Sequence, residues 1–428
     1  MVSNENRIGH SAKGFTLDFP QRQSKILALE ELRGSRIITL LTSVRPNWAA
    51  QLSDEQVRVI YDHLLRIRGD AHKIPKLDLF IMSNGGDSLV PWRLISVFRD
   101  FADKISVLVP YRAYSAATLL ALGADEIVMG PFGQLGPIDP TVQNDFNPID
   151  EQTKQRIGVS VEDVKSFIQF IKTTVGITHE DELIRAVEAL LTKVHPLALG
   201  NVERFIQQSR MIAQKLLRTH MTADSDKHII DELIENMASK LYFHGHPISR
   251  LEARQDLQLR TVIESSRTLD DALWALYEEY ELLFNMRDPV LAPVELARQR
   301  IANIGKANQY STAVETMVAQ NVPLSQAIQL AIAHLNASGS PTSASFEVNS
   351  PAVAIESSSR SSLLMVHQRW ELLPDPAPGQ TMIRQDLLDQ KWINTDYPVS
   401  GQTGVNLMAN STEPLSKTVP DKEDSAKT

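Results

Sequence analysis

The chain of 428 residues contains no cysteine. That absence removes disulfides, thiolate metal centres and cysteine nucleophiles, and leaves covalent catalysis to serine, threonine or lysine. No apolar run approaches the ~18 residues of a membrane-spanning helix. The opening stretch, "MVSNENRIGHSAKGFTLDF", lacks the apolar centre of a secretory signal, so a cytoplasmic protein is expected. Basic residues are in deficit, 43 Lys and Arg against 52 Asp and Glu, for a net charge of −9. Nor is there a basic stripe interleaved with aromatics, so no nucleic-acid surface is expected.

What is present is an alternation of strand and helix signals. "RIITLLT" at 36–42 is a compact β-prone run after the turn Gly34-Ser35. Ser53, with Gln56 three residues on, fits a capping box, and Val57, Ile60, Leu64 and Ile67 recur at helical spacing behind it. "LDLFIM" at 77–82 reads as a second strand closed by "SNGGD", and Pro91 opens a helix carrying Leu94, Ile95, Phe98 and Phe101. Strands at 105–110 and 126–130 flank a short helix that follows Ser115. Such a series predicts an α/β fold with a mostly parallel sheet and right-handed crossovers.

Beyond 145 the pattern is helical, with a long helix expected over Pro196–Arg218, others near 226–239 and 268–283, and a capping box at Ser249 and Glu252. The domain reading is a polar leader over 1–29, the α/β domain over 30–290, a helical extension over 291–336 and a low-complexity tail over 337–428. The Ser- and Pro-rich composition of that tail predicts disorder for most of it, with "LLMVHQRWELL" at 363–373 as a docking segment, an isolated strand or an unfolded apolar patch.

Ligands of parallel sheets gather at the carboxyl ends of the strands, where both "SNGGD" and "PYRAYSAA" lie. Ser115 stands where a strand turns into a helix, as an N-cap or as a nucleophile beside free helical N–H groups. Gly85 and Gly86 let backbone approach a ligand without side chains in the way, and an amide there, with that of Ala116, would give two donors to an oxyanion. A serine needs a base, and Lys193 and His195, just before the helix at Pro196, are the candidates, with Lys165 and Lys172 as weaker rivals. His244 and His246 form an H-x-H pair without an evident third ligand, so no metal is expected. "GPFGQLGP" at 130–137 lacks the Lys-Ser/Thr ending of a phosphate loop and reads as a wall of the cleft.

The runs "FIMSNGGD" and "VLVPYRAYSAATLLALGADEIVMGPFGQLGPIDP", in that order and spacing, resemble the serine dehydrogenase proteinase family, within the Clp-fold serine peptidases that include signal peptide peptidase A. The resemblance covers roughly 30–265, where "SKLYFHGHPISRLEARQ" is similar to the family's closing segment. It implies a ClpP/crotonase-like spiral of β-β-α units, serine peptidase chemistry on protein or peptide substrates without a cofactor, and homo-oligomerisation through the helical parts. Ser115 matches the nucleophile position, Gly85 and Gly86 the oxyanion loop, Ala116 the second amide, and Lys193 the base of Ser-Lys relatives. The chain departs from the pattern at Asn84, where relatives have proline, and at Ala116-Ala117, where many have glycine. Two other functions stay open: crotonase-type acyl-CoA chemistry using Asp139 or Glu126, and a non-catalytic oligomeric scaffold that binds peptides.

Overall fold

Arg36–Thr42 is buried at every position but the first, which only a strand covered on both faces allows. It is β1 of a computed structural model that describes residues 19–138, 141–142, 146–149, 156–157, 159–237, 246–303, 344–374 and 381–398, with 322, 326 and 330 besides. α1 (Phe19–Arg33) precedes it. Then come α2 (Asp54–Arg68), β2 (Ile74–Met82), α3 (Val90–Phe101), β3 (Ala102–Val109), β4 (Arg112–Ala113), α4 (Ala116–Leu122), β5 (Glu126–Met129) and β6 (Gln134–Leu135). Two short strands, β7 (Thr141–Val142) and β8 (Val159–Ser160), pair with each other. α5 (Val161–Gln169) runs into a π-helical turn and is followed by α6 (Glu180–Leu191), α7 (Pro196–Leu217) and α8 (Asp226–Glu235). β9 (Ile248–Ser249), α9 (Arg250–Gln255), β10 (Val262–Ile263), α10 (Arg267–Leu283) and α11 (Ala292–Asn303) lead to three long strands, β11 (Ser345–Ser357), β12 (Arg360–Pro374) and β13 (Thr381–Asp396).

The main sheet has the order β10-β5-β3-β2-β1-β11-β12-β13. From β10 to β1 all neighbours are parallel; from β1 outward they are antiparallel. Alternation along β1 sends Ile38 and Leu40 into a core shared with α2, α3, α4 and α7, and Ile37 and Leu41 into a second core under α1 and α10. The α/β, mostly parallel expectation holds. Ser83, β4 and β6 form short parallel steps beside one another, so a long strand, a short one and a helix recur as a β-β-α unit.

The sequence-based boundaries need correction at both ends. The stretch read as a polar leader contains most of α1, whose buried stripe is Phe19, Arg22, Ile26, Leu29 and Glu30. Two of those five are charged, and this hides the helical periodicity. The supposed disordered tail supplies β11–β13. Its serines are not linker: Ser350, Ser357, Ser358 and Ser362 are fully buried, and Ser361 nearly so. Glu356 receives Arg22 through two bonds of 2.8 Å, Tyr280 at 2.6 Å and Ser361 at 2.6 Å. His63 bridges Ser357 and Ser362 at 2.9 and 3.0 Å. Nor is 291–303 a separate extension, since Ala292, Val294, Leu296 and Ala297 join the main core. The helix expected from Pro323 and Ser325 lies outside the described residues, apart from 326 and 330. These elements form one unit ending at Tyr397; of a second, Pro398–Thr428, only Pro398 is described.

Candidate active site

At the carboxyl ends of β1, β2 and β3 three loops meet. Ser83 bridges Ala113, and Gly86 bridges Leu52, so the glycine loop is sewn to the approach to Ser115 on one side and to the segment after β1 on the other. Ser115 has φ 52° and ψ −117°, a conformation that costs a non-glycine residue about 1–3 kcal/mol. It precedes α4 as an N-cap residue, yet its side chain makes no capping bond. The hydroxyl is half-buried and has no hydrogen-bond partner among the described residues. The positive φ and the hydroxyl that caps nothing single Ser115 out as the candidate nucleophile.

The glycines lie against it. Gly85 has φ +101°, and a Cβ on it would come within 2.8 Å of both Ser115 Cβ and the Tyr114 carbonyl. Gly86, at φ +151°, would place a Cβ 2.4 Å from the Leu52 carbonyl. Neither position accepts a side chain. The Gly85 N–H donates to Ser83 Oγ at 3.1 Å, so that amide is occupied; the N–H groups of Gly86 and Ala116 have no partner among the described residues. Ser115 and Gly86 line one cavity of about 340 Å³, with Leu119, Ile138 and Phe205 as apolar wall and Ser88, Gln208 and Ser209 among its polar lining. The geometry is that of a serine with two free amides nearby at a helix N-terminus.

Residues 18–163 match the family of ClpP-like SDH-type serine proteinases. The matched segment includes Ser115 and the paired glycines and ends before Lys193 and His195. Two uncharacterized proteins of Methanocaldococcus jannaschii are related: one is 24% identical over 182 residues, 39% of this chain and 62% of its own, the other 30% identical over 122 residues, 27% and 43% respectively. The chain thus spans less than two thirds of the length of either relative. Among solved structures, a mutant of the 1510-N membrane-bound stomatin-specific protease aligns with 32% of this chain and 62% of its own at 15% identity, with a TM-score of 0.23.

For a serine proteinase match the base matters next. Lys193 and His195 are both exposed, in the turn between α6 and α7. His195 caps α7, accepting the Leu197 N–H at 3.2 Å, and stacks on Phe146 with ring centroids 5.1 Å apart. Neither residue lines the cavity. At ~1.5 Å per residue, Phe205 is about 15 Å and Gln208 about 20 Å along α7 from His195. The structure therefore does not bring either to Ser115. Lys172 is exposed and also off the cavity, while the side chain of Lys165 lies outside the described residues.

Glu126 begins β5, at the opposite end of the sheet from Ser115. Burial works to raise its pKa, but bonds from Lys104 and Arg33 and the charge of Lys76 outweigh this and hold it down at about 2. It braces the amino ends of the strands and cannot act in the cleft. Asp139 and His244 lie outside the described residues; His246 bonds Glu252 at 2.7 Å, and no three metal-ligating side chains gather among the described residues. "GPFGQLGP" leads through β6 to Ile138, on the cavity wall. Asn84, in place of proline, is exposed and accepts a long 3.4 Å bond from Arg112.

Sequence reasoning missed the middle of α7. Phe205, Gln208 and Ser209 face the cavity, on the stripe that continues through buried Ile212 and Leu216. A Gln-Ser pair interrupting an otherwise apolar stripe was the available signal. Among the described residues no helix is long and apolar enough to cross a membrane.

Proposed function

We propose that the protein is a serine endopeptidase with Ser115 as nucleophile. Ser115 Oγ attacks a peptide carbonyl carbon while its proton passes to a base; the oxyanion settles between the N–H groups of Gly86 and Ala116; the intermediate collapses, the amine leaves with a proton, and water then hydrolyses the acyl-serine. Gly85 gives the loop its shape, because its own amide already bonds Ser83. The observation that carries the reading is the strained Ser115, whose hydroxyl caps nothing and has no partner among the described residues, sharing a cavity with Gly86. The match of residues 18–163 to a serine proteinase family supports the same chemistry.

Homo-oligomeric assembly belongs to this proposal, since α6 buries none of its residues and Phe170, Ile184 and Val187 stand exposed. So does a cytoplasmic setting, with which a cysteine-free chain is consistent. The test is intact-mass detection of fluorophosphonate labelling on wild type and Ser115→Ala in parallel. One adduct on wild type, lost in the variant, is the expected outcome. A folded wild type that takes no label points instead to a peptide-binding scaffold.

A further inference from the structure

We propose that Ser83, backed by Thr42, is a positioning residue of this site: it holds the Asn84–Gly85 peptide by its N–H and also reaches the Gly85 carbonyl, and thereby helps set the direction of the Gly86 N–H. The proposal rests on the peptidase reading of Ser115. Ser83 is fully buried and does not line the cavity, so it touches no substrate. Its backbone is committed to the approach to Ser115: the Ser83 N–H donates to the Arg112 carbonyl at 3.0 Å and the Ser83 carbonyl accepts the Tyr114 N–H at 3.0 Å. Its hydroxyl, meanwhile, accepts the Gly85 N–H at 3.1 Å and the Thr42 hydroxyl at 2.8 Å. One buried oxygen thus joins the end of β1, the end of β2 and the glycine loop.

The loop has little rigidity of its own, because two consecutive glycines at φ +101° and +151° can rotate at small cost. Hydrogen bonds must decide its orientation. Ser83 Oγ accepts the N–H of the Asn84–Gly85 peptide and donates a long 3.5 Å bond to the Gly85 carbonyl of the next one, to which the Leu52 N–H also donates at 2.8 Å. In a trans peptide the carbonyl and the following N–H point in opposite directions. The carbonyl directed at Leu52 therefore turns the Gly86 N–H away from Leu52, and that N–H has no partner among the described residues at the cavity that Gly86 lines. Without Ser83 Oγ the Asn84–Gly85 peptide loses its anchor and the Gly85–Gly86 peptide is left to the Leu52 bond alone, so the Gly86 N–H is less firmly directed while the serine stays in place.

The experiment compares full-length wild type, Ser83→Ala, Thr42→Val and Thr42→Ser by three readouts: the fluorophosphonate labelling rate at Ser115, amide exchange of segment 83–89, and melting temperature. Expected for Ser83→Ala is labelling slowed on the order of 10-fold, part of the ~100-fold that deleting an oxyanion donor costs, with faster exchange at Gly85. Thr42→Val shows a smaller loss in the same direction, and Thr42→Ser, which restores the hydroxyl, recovers the wild-type rate. A folded Ser83→Ala that labels at the wild-type rate, or keeps Gly85 protected, overturns the proposal. Should Ser83→Ala fail to fold, the Thr42 pair decides by the same criteria. A wild type that never labels sinks the peptidase reading, and the exchange arm still shows whether Ser83 and Thr42 set the peptide.

Discussion

Ser115 combines a positive φ with a hydroxyl that caps nothing. Glycine tolerates that backbone better than any residue with a Cβ. Ser115→Gly is therefore expected to melt above Ser115→Ala, by about 1 kcal/mol of stability, while both lose labelling. Equal melting temperatures in a thermal scan would show that the strain is not there. A second expectation concerns the base. Lys193 and His195 lie before the start of α7 and off the cavity that Ser115 lines, so Lys193→Ala and His195→Ala should leave the pH dependence of labelling unchanged. Collapse of labelling in either variant would show that the turn between α6 and α7 moves onto the site. The serine and glycines were legible in the sequence because a strand, a turn and a helix start follow one another within a few residues. The cavity wall was not, because Phe205 and Gln208 reach Ser115 only through the packing of α7 on α4.

Between elements, one imidazole links α2 to both β11 and β12. His63 is fully buried between two serine hydroxyls, and burial first, then the charges of Arg360 and Arg66, lower its pKa from 6.5 to about 3. The folded protein holds this ring neutral, whereas the unfolded chain takes up a proton near pH 6.5. Stability from this group is thus complete above pH 6.5 and is lost as pH falls toward 3, by up to about 1.4 kcal/mol per pH unit. Denaturant titrations at pH 7, 6, 5 and 4 should show His63→Gln less stable than wild type at pH 7 but with a shallower acid slope. Parallel slopes for the two proteins would remove His63 from the acid response. The alternation of apolar residues made the strands of the parallel sheet readable. It failed for α1 and for β11–β12, where Arg22, Glu30, Glu356 and the serines occupy buried positions that an apolar pattern reserves for hydrophobes.

For the whole molecule, the C-terminal strands close the sheet on the side of β1. Arg22 and Glu356 retain 2% and 0% of their side-chain exposure, so each leaves a buried charge if the other goes. Glu356→Gln should cost about 3–5 kcal/mol in chemical denaturation. A chain cut before Ser345 loses Glu356, leaves Arg22 and Tyr280 without that partner and opens the β1 edge, and should be recovered as aggregate rather than as a monomeric α/β domain. Soluble, cooperatively melting material from that truncation would mean that β11–β13 are an appendage.

What the sequence determined by itself was local: strands of continuous aliphatic character, helix starts such as Ser249, which caps α9, though Ser53 makes no cap bond on α2, and two glycines and a serine set at the carboxyl ends of adjacent strands. These signals survive without a partner because they depend on residues a few positions apart. Only the tertiary structure decided that Gly86 rather than Gly85 has an amide without a partner among the described residues, that the middle of α7 walls the cavity while its start does not, and that a serine-rich tail supplies the three strands beyond β1. Each of these depends on which distant group meets a hydrogen-bonding atom, Ser83 at Gly85, Arg22 at Glu356, His63 at Ser357, and composition is blind to that pairing.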